Sequence, residues 1–366
     1  MTSSKSILGR SITYAPMSMD LSHPADRRRI KIWSDTFNIP LKLTHPNTDD
    51  STELLVLSSA SKLSSLASKH KGPVIVDLVD GYLSGNTPFI EDFARNTIRS
   101  ILGKSSVTSI TFSNELRRAI SRASAVVVSC PEQRQVIQHI NKNVHCILDD
   151  HSEMKFPGNV RKSKATQEFT ILWEGLGYTL KHLIFIADEL QEFIVSSKAK
   201  MIVVTNPFFN RWSTSLGKVD SREIIRKKFG RASESIEFVE WSIESLRDAA
   251  SRSDVAIIPI DLKDDFAAAK PENKLLSFWT MGVPTLCSPT PAYARVMLGT
   301  GNKDFLVSRN SWVEVLNGLK DKIKTDREFL TAKEYEFNRY LNEHHRREQL
   351  VAKWNHLIKS LMLVRI

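Results

Sequence analysis

Cysteine is scarce in this 366-residue chain: Cys130, Cys146 and Cys287 are the three present, and they lie far apart. Such spacing excludes a disulfide framework and offers no Cys/His pattern for a metal. Each cysteine ends or borders an expected strand, which suits small buried hydrophobes in a reducing compartment. Long apolar runs are missing as well. None approaches the roughly 20 residues that span a bilayer. The opening stretch, MTSSKSILGRSITYAP, lacks the long apolar core and cleavage site of a signal peptide, so a cytoplasmic protein is expected. Aromatics are few, at 8%, and are not interleaved with basic residues as in a nucleic-acid-binding module. No nucleic-acid partner is expected.

What is present belongs to a soluble globular chain: 41% hydrophobic and 25% charged residues, and enough length for two domains that each bury a core. The net charge of +10 is spread over both halves, with 19 basic against 15 acidic residues up to position 160 and 32 against 26 after it. An excess of that kind suits anionic small molecules, anionic membrane surfaces or nucleic acid, and does not choose among them. The densest run, Arg27, Arg28, Arg29 and Lys31, reads as one solvated turn of helix. Its functional alternative is a patch making peripheral contact with an anionic membrane.

In the first half, apolar runs alternate with helical patterns. Strands are expected at Ile7 to Tyr14, Leu41 to Thr44, Leu54 to Ser58, Val74 to Leu78, Val126 to Ser129 and Val144 to Leu148. Helices are expected at Ala25 to Phe37, Phe89 to Leu102, Asn114 to Ala123 and Pro131 to Ile140. Strands linked through helices imply a parallel sheet covered on both faces. Residues 149–167 are polar and aperiodic, with Pro157 and Gly158, which marks a linker and a boundary near residue 160.

A second doubly wound unit follows. Phe169 to Trp173 is its first strand, and Glu174-Gly175-Leu176-Gly177 makes a tight loop before a helix from Thr179 to about Val195. Met201 to Thr205 is a strand ending in Asn206-Pro207; a charged helix from Arg222 to Phe229 and a strand from Ile236 to Val239 come next. Trp241 and Ser242 sit at that strand's end, where Ser242 caps the next helix. Ser245 stands where a full capping box would place Glu or Gln. Val255 to Ile260 reads as a strand buried on both faces. A helix then opens at Pro271, carries Leu275, Leu276, Phe278 and Trp279 on its apolar side and stops at Gly282, before a strand from Val283 to Cys287. The pattern from Arg327 to Leu363 is too long for one helix of a compact domain and is expected to break near Asn342 to His345.

Chemistry concentrates at two places. Lys270, Asn273 and Lys274 cluster at a helix start, whose open N–H groups and positive dipole end suit a diphosphate. Gly175 and Gly177 allow close backbone approach to a phosphate or sugar. In the first half, Asp77 and Asp80 in VIVDLVDGY, Asp149, Asp150 and His151 in ILDDHSE, and Asp20 or His23 after the first strand stand at strand ends. There a carboxylate or imidazole can take a proton from an acceptor hydroxyl. Asp80 is the first choice because Gly81 beside it marks a turn.

The order from Asp254 to Met297 resembles the donor half of a GT-B glycosyltransferase: aspartate, apolar strand ending in Ile-Pro, loop, Lys-Pro-x-Asn-Lys-Leu-Leu helix, Gly-x-Pro, strand, Ser-Pro. The resemblance implies an α/β GT-B architecture of two Rossmann-like doubly wound domains facing across a cleft. Residues 1–160 would bind the acceptor and residues 161–330 the nucleotide-sugar donor, with 331–366 a helical segment packing back on the first domain. It implies that Lys270, Asn273 and Lys274 hold the donor diphosphate, that Gly175, Gly177 and Asn206 face the donor, and that Trp241 and Ser242 lie beside the nucleobase. It also implies that Asp80, Asp77 or His151 supplies the base. The expected partners are a nucleotide-diphosphate sugar and a glycan or lipid-linked acceptor.

Two departures narrow this. The paired glutamates of many retaining members fall here on Ser277 and Ala269, although Glu272 lies close. No Asp-x-Asp pair is present, so neither metal nor other cofactor is expected. The alternative reading is a non-catalytic nucleotide-sugar-binding or scaffold subunit of a membrane-associated glycan pathway.

Overall fold

Apolar runs without polar alternation make strands buried on both faces, and parallel pairing under helices is how such strands are covered. The computed structural model describes residues 12–44, 53–58, 63–83, 111–157, 168–210, 217–326 and 328–363, and in it these runs form two parallel sheets. The chain divides into two compact units. The first comprises residues 1–150, 269–271 and 345–366; the second comprises 151–268 and 272–344. Each holds one Rossmann-like doubly wound sheet. The expected strand residues Ile7 to Ser11, the expected helix Phe89 to Leu102 and linker positions 158–167 lie outside the described residues.

In the first unit the strands are β1 (Ile12–Ala15), β2 (Leu41–Leu43), β3 (Leu54–Ser58), β4 (Val74–Leu78), β5 (Ala125–Val128) and β6 (Val144–Cys146), in the order β2-β1-β3-β4-β5-β6. Successive residues of β3 point to opposite faces. Leu54 and Val56 join a core with Ile12, Trp33, Trp354 and Ile358, whereas Leu55 and Leu57 join one with Leu66, Leu116 and Ile120. The helix expected over Ala25 to Phe37 is two helices, Pro24–Arg27 and Ile30–Phe37, with Arg29 as the cap of the second at φ −125 and ψ −114. The chain's last helix, Arg347–Leu363, supplies Trp354, Leu357 and Ile358 to this unit.

The second unit has β7 (Thr170–Glu174), β8 (Lys200–Thr205), β11 (Ile236–Glu240), β12 (Val255–Ile258) and β13 (Thr285–Cys287), in the order β11-β8-β7-β12-β13. A separate antiparallel ribbon, β9 (Phe208–Asn210) with β10 (Lys218–Asp220), was not expected from the sequence. The single helix expected from Thr179 is instead a 3₁₀ turn, Gly177–Thr179, followed by helices Leu180–Ile184 and Ala187–Ser197. Pro271 is not the first residue of its helix. That helix runs Asn273–Thr280 with Glu272 as cap, because the first turn closes when the Leu276 N–H donates to the Glu272 carbonyl at 3.0 Å. Gly282, at φ +67, takes the left-handed conformation that ends the helix. Helix Phe329–His344 stacks Phe337 on Trp279 at 4.4 Å between ring centroids, so this part of the terminal pattern belongs to the second unit.

Candidate functional site

The second sheet grows from β7 through β8 to β11 on one side, and β12 and β13 add on the other. The direction of growth therefore reverses between β7 and β12. In open α/β sheets, ligands bind at the carboxyl ends of the strands beside such a reversal. Three elements meet here: the end of β7 with its Gly175 loop, the residue after β11, and the first turn of helix Asn273–Thr280. Lys274 donates from Nζ to the Glu174 carbonyl at 2.7 Å, and the same amine is 3.3 Å from Glu174 Oε2. It also lies 5.8 Å from the centroid of the Trp173 ring. The other carboxylate oxygen, Oε1, accepts from the Trp241 indole N–H at 3.0 Å. Glu174 thus holds a cation and an indole from two other segments beside the open N–H groups of a helix start. Asn273 Oδ1 is sealed from solvent there with no hydrogen-bond partner among the described residues.

Glycine at 175 and 177 answers first to packing within the chain. A Cβ on Gly175 would lie 2.5 Å from Thr179 Oγ1 and 2.8 Å from the Trp173 ring, and one on Gly177 would run into the Phe209 ring. Asn206 follows β8 directly, and its carbonyl accepts from Ser221 Oγ at 2.7 Å. Ser242 is spent on the helix Ile243–Ser251. Its hydroxyl accepts from the Ser245 N–H at 3.0 Å while its own N–H donates to Ser245 Oγ at 2.8 Å, so serine completes the capping box that was expected to need Glu or Gln. Lys270 falls in the segment 269–271 that groups with the first unit, which leaves Asn273 and Lys274 as the second unit's members of the expected cradle. Glu272, the carboxylate nearest the missing glutamate pair, is buried and bound by Arg295 Nη2 at 2.8 Å. Burial, then coupling to the neighbouring Cys287, Glu272 and Glu174, pushes the buried Tyr293 hydroxyl well above the ordinary phenol range.

In the first unit the expected bases have different surroundings. Asp77 is buried under Arg29, whose Nε donates to both carboxylate oxygens at 3.1 and 2.9 Å and whose Nη2 donates at 2.5 Å. The Arg29 Nη1 donates to Asp149 at 2.8 Å and to Ser129 Oγ at 3.1 Å. Burial opposes the charge on Arg29, but the two carboxylates outweigh it and hold the guanidinium more firmly protonated than usual. Asp77 is thus held in a buried ion pair, and Arg29 is a core residue, which corrects the reading of it as part of a solvated or membrane-facing run. Asp80 is half-buried, and its side chain makes no hydrogen bond or ion pair with the described residues. Ser129 Oγ donates to the Val79 carbonyl at 3.2 Å, which ties the Arg29 cluster to the residue before Asp80. His151 is buried and opens the second unit at the head of a short 3₁₀ turn, Ser152–Met154. Asp20 and His23 serve the local loop, Asp20 accepting from Ser22 and His23 accepting from the Ala25 N–H.

No protein-family model matches the sequence, and no curated protein matches it. Solved structures do. The glycosyltransferase from Rickettsia africae ESF-5 superposes with a TM-score of 0.62 at 10% identity, over 96% of this chain and 98% of that one. Anabaena HepE, solved in complex with UDP, gives 0.61 at 10% identity over 96% and 100%. The chain has the GT-B fold. A third GT-B structure, the S. aureus TarM G117R mutant in complex with fondaparinux, alpha-GlcNAc-glycerol and UDP, gives 0.52 at 11% identity over 83% of this chain and 55% of that one. This chain thus spans just over half of TarM's length.

Within its GT-B fold, one candidate site residue escaped the sequence reading: Glu174, for which the available signal was an acid closing a buried strand before a Gly loop. The buried role of Arg29 gave no such signal, because its neighbours in sequence are also basic. Among the described residues, no group of three or more His, Cys, Asp or Glu side chains is placed to hold a metal ion, and no helix is long and apolar enough to cross a membrane.

Proposed function

We propose that this chain is a glycosyltransferase that moves a sugar from a nucleotide-diphosphate sugar to a hydroxyl of a glycan, lipid-linked or related acceptor. The observation that carries the proposal is the Lys274–Glu174–Trp241 constellation at the reversal point of the second sheet. The donor's diphosphate takes the place beside Lys274 and the first-turn N–H groups, which together neutralise the charge that grows on the leaving group. No metal is needed for that step when a cation and a helix start supply the charge. Trp241, fixed by its bond to Glu174, borders the base. Asp80, whose side chain makes no hydrogen bond or ion pair with the described residues, is the general base for the acceptor hydroxyl in an inverting transfer. HepE and TarM were each solved with UDP, and TarM also with saccharide ligands, which agrees with a donor and an acceptor of these classes.

Incubation with a panel of nucleotide-diphosphate sugars and hydroxyl acceptors, read by mass spectrometry, tests this. Donor-dependent glycosylation of an acceptor is the expected result. Tight donor binding with no transfer to any acceptor would favour the non-catalytic binding subunit, and absence of donor binding would overturn the proposal.

A further inference from the structure

The buried charge cluster of the first unit stands at the carboxyl ends of its strands, and the proposed transfer gives it no role. Asp77 belongs to β4, Ser129 follows β5 and Asp149 lies beyond β6, and all three converge on the Arg29 guanidinium. A buried ion pair is weak support for stability, because desolvation of the charges offsets most of their attraction. What such a cluster does well is hold neighbouring groups in one geometry.

The proton directions within it are fixed. Arginine only donates, so Ser129 Oγ accepts from Arg29 Nη1 at 3.1 Å and gives its own proton to the Val79 carbonyl at 3.2 Å. The Ser129 N–H donates to Gln133 Oε1 at 2.8 Å, which holds the serine through its backbone as well. Ser129 is buried, so solvent does not compete for these bonds.

Val79 precedes Asp80, and the chain turns sharply after it. The Tyr82 N–H donates to the Asp80 carbonyl at 2.8 Å, closing a three-residue turn, and Leu83 follows at φ +68 in the left-handed region. A leucine keeps that conformation only where its surroundings hold it. A Cβ on Gly81 would lie 2.6 Å from both the Cβ and the carbonyl oxygen of Ala269, which belongs to the same unit. The Asp80 side chain itself makes no hydrogen bond or ion pair with the described residues. The backbone, held at Val79, Gly81 and Tyr82, therefore sets where this carboxylate stands.

We propose that Ser129 is a positioning residue for Asp80: anchored by Arg29, it fixes the Val79 carbonyl and with it the turn that presents the Asp80 carboxylate to the acceptor hydroxyl. The inference rests on the reading of Asp80 as the general base. A base must stand within hydrogen-bond reach of the proton it takes, and a misplacement of about 1 Å costs about 10²-fold in rate.

Ser129→Ala removes the hydroxyl and leaves both carboxylates on Arg29. Hydrogen–deuterium exchange read by mass spectrometry should be severalfold faster in a peptide covering residues 79–83 and unchanged in one covering β3. In glycosyl transfer, kcat should fall by about 10- to 100-fold with the donor KM unchanged. In the Asp80→Asn protein the same Ser129→Ala change should cost no further activity, because it acts through the carboxylate alone. Unchanged exchange at 79–83, faster exchange at β3 as well, or an equal further loss in Asp80→Asn would overturn the proposal and leave Ser129 a structural residue. Full activity of Asp80→Asn would instead discard the base, while faster exchange at 79–83 in Ser129→Ala would still show that the cluster holds the turn, so the two readings fail separately.

Discussion

Arg29→Met removes the cation that Asp77, Asp149 and Ser129 share in the first unit. Both carboxylates are then left in the interior, where they are 3% and 8% exposed. Removing one partner of a buried ion pair costs about 3–5 kcal/mol, a large share of the roughly 5–15 kcal/mol that stabilises a whole domain. With a urea slope of about 2 kcal/mol/M, the midpoint for this unit should fall by about 1.5–2.5 M. The assay can be made specific to one unit, because Cys130 is buried in the first and Cys287 in the second. Urea-dependent thiol labelling, read by peptide mass spectrometry, should show the fall at Cys130. Adding Asp77→Asn and Asp149→Asn to Arg29→Met should recover most of the loss, since the cost lies in uncompensated charge rather than in missing contact. A midpoint shift below about 0.5 M in Arg29→Met, the size expected of an exposed pair, would refute the claim that this cluster organises the first unit.

Other outcomes follow from the same geometry. Asp80→Asn should lower kcat by about 10²- to 10⁴-fold with donor Kd unchanged; full activity would discard Asp80 as the base. Glu174→Gln should weaken donor binding severalfold while shifting stability by under about 1 kcal/mol, because the Lys274 pair is partly exposed. Equal donor affinity in isothermal titration would show that Glu174 does not organise the site. Burial, with Asp26 and Asp77, raises the Tyr14 hydroxyl well above its ordinary value, as burial does for Tyr293. Their folded pKa values lie above the unfolded one, so the stability they contribute is complete below about pH 10 and is lost as pH rises beyond it. Ultraviolet titration should find these two ionising only together with alkaline unfolding, and early ionisation of all six tyrosines in folded protein would contradict this.

Much of the fold could be read from the sequence because burial on both faces leaves a local trace. The runs at Leu54–Ser58, Val74–Leu78 and Lys200–Thr205 have few polar interruptions, and the structure places them within a residue of expectation. What escaped depends on contacts between distant positions. Arg29 looks like its basic neighbours, and nothing near it in sequence shows that Asp77 and Asp149, 48 and 120 residues away, converge on its guanidinium. The ribbon Phe208–Asn210 is too short to announce itself and follows directly on Pro207. At the candidate site, residue types were legible but their partners were not. Lys274 and Trp241 were visible as a cation at a helix start and an aromatic at a strand end, while their shared tie to Glu174 required the sheet order to place β7 beside β12.

The central claim is that the reversal point of the second sheet holds a nucleotide diphosphate through Lys274. Isothermal titration of a nucleoside-diphosphate panel into the wild-type protein and Lys274→Ala measures this most directly. A charge-assisted hydrogen bond to phosphate contributes about 1.5–3 kcal/mol, so at least one diphosphate should bind and its Kd should weaken by about 10- to 150-fold in the variant. Binding of equal strength in both proteins, or no binding of any diphosphate to the wild type, would contradict the account.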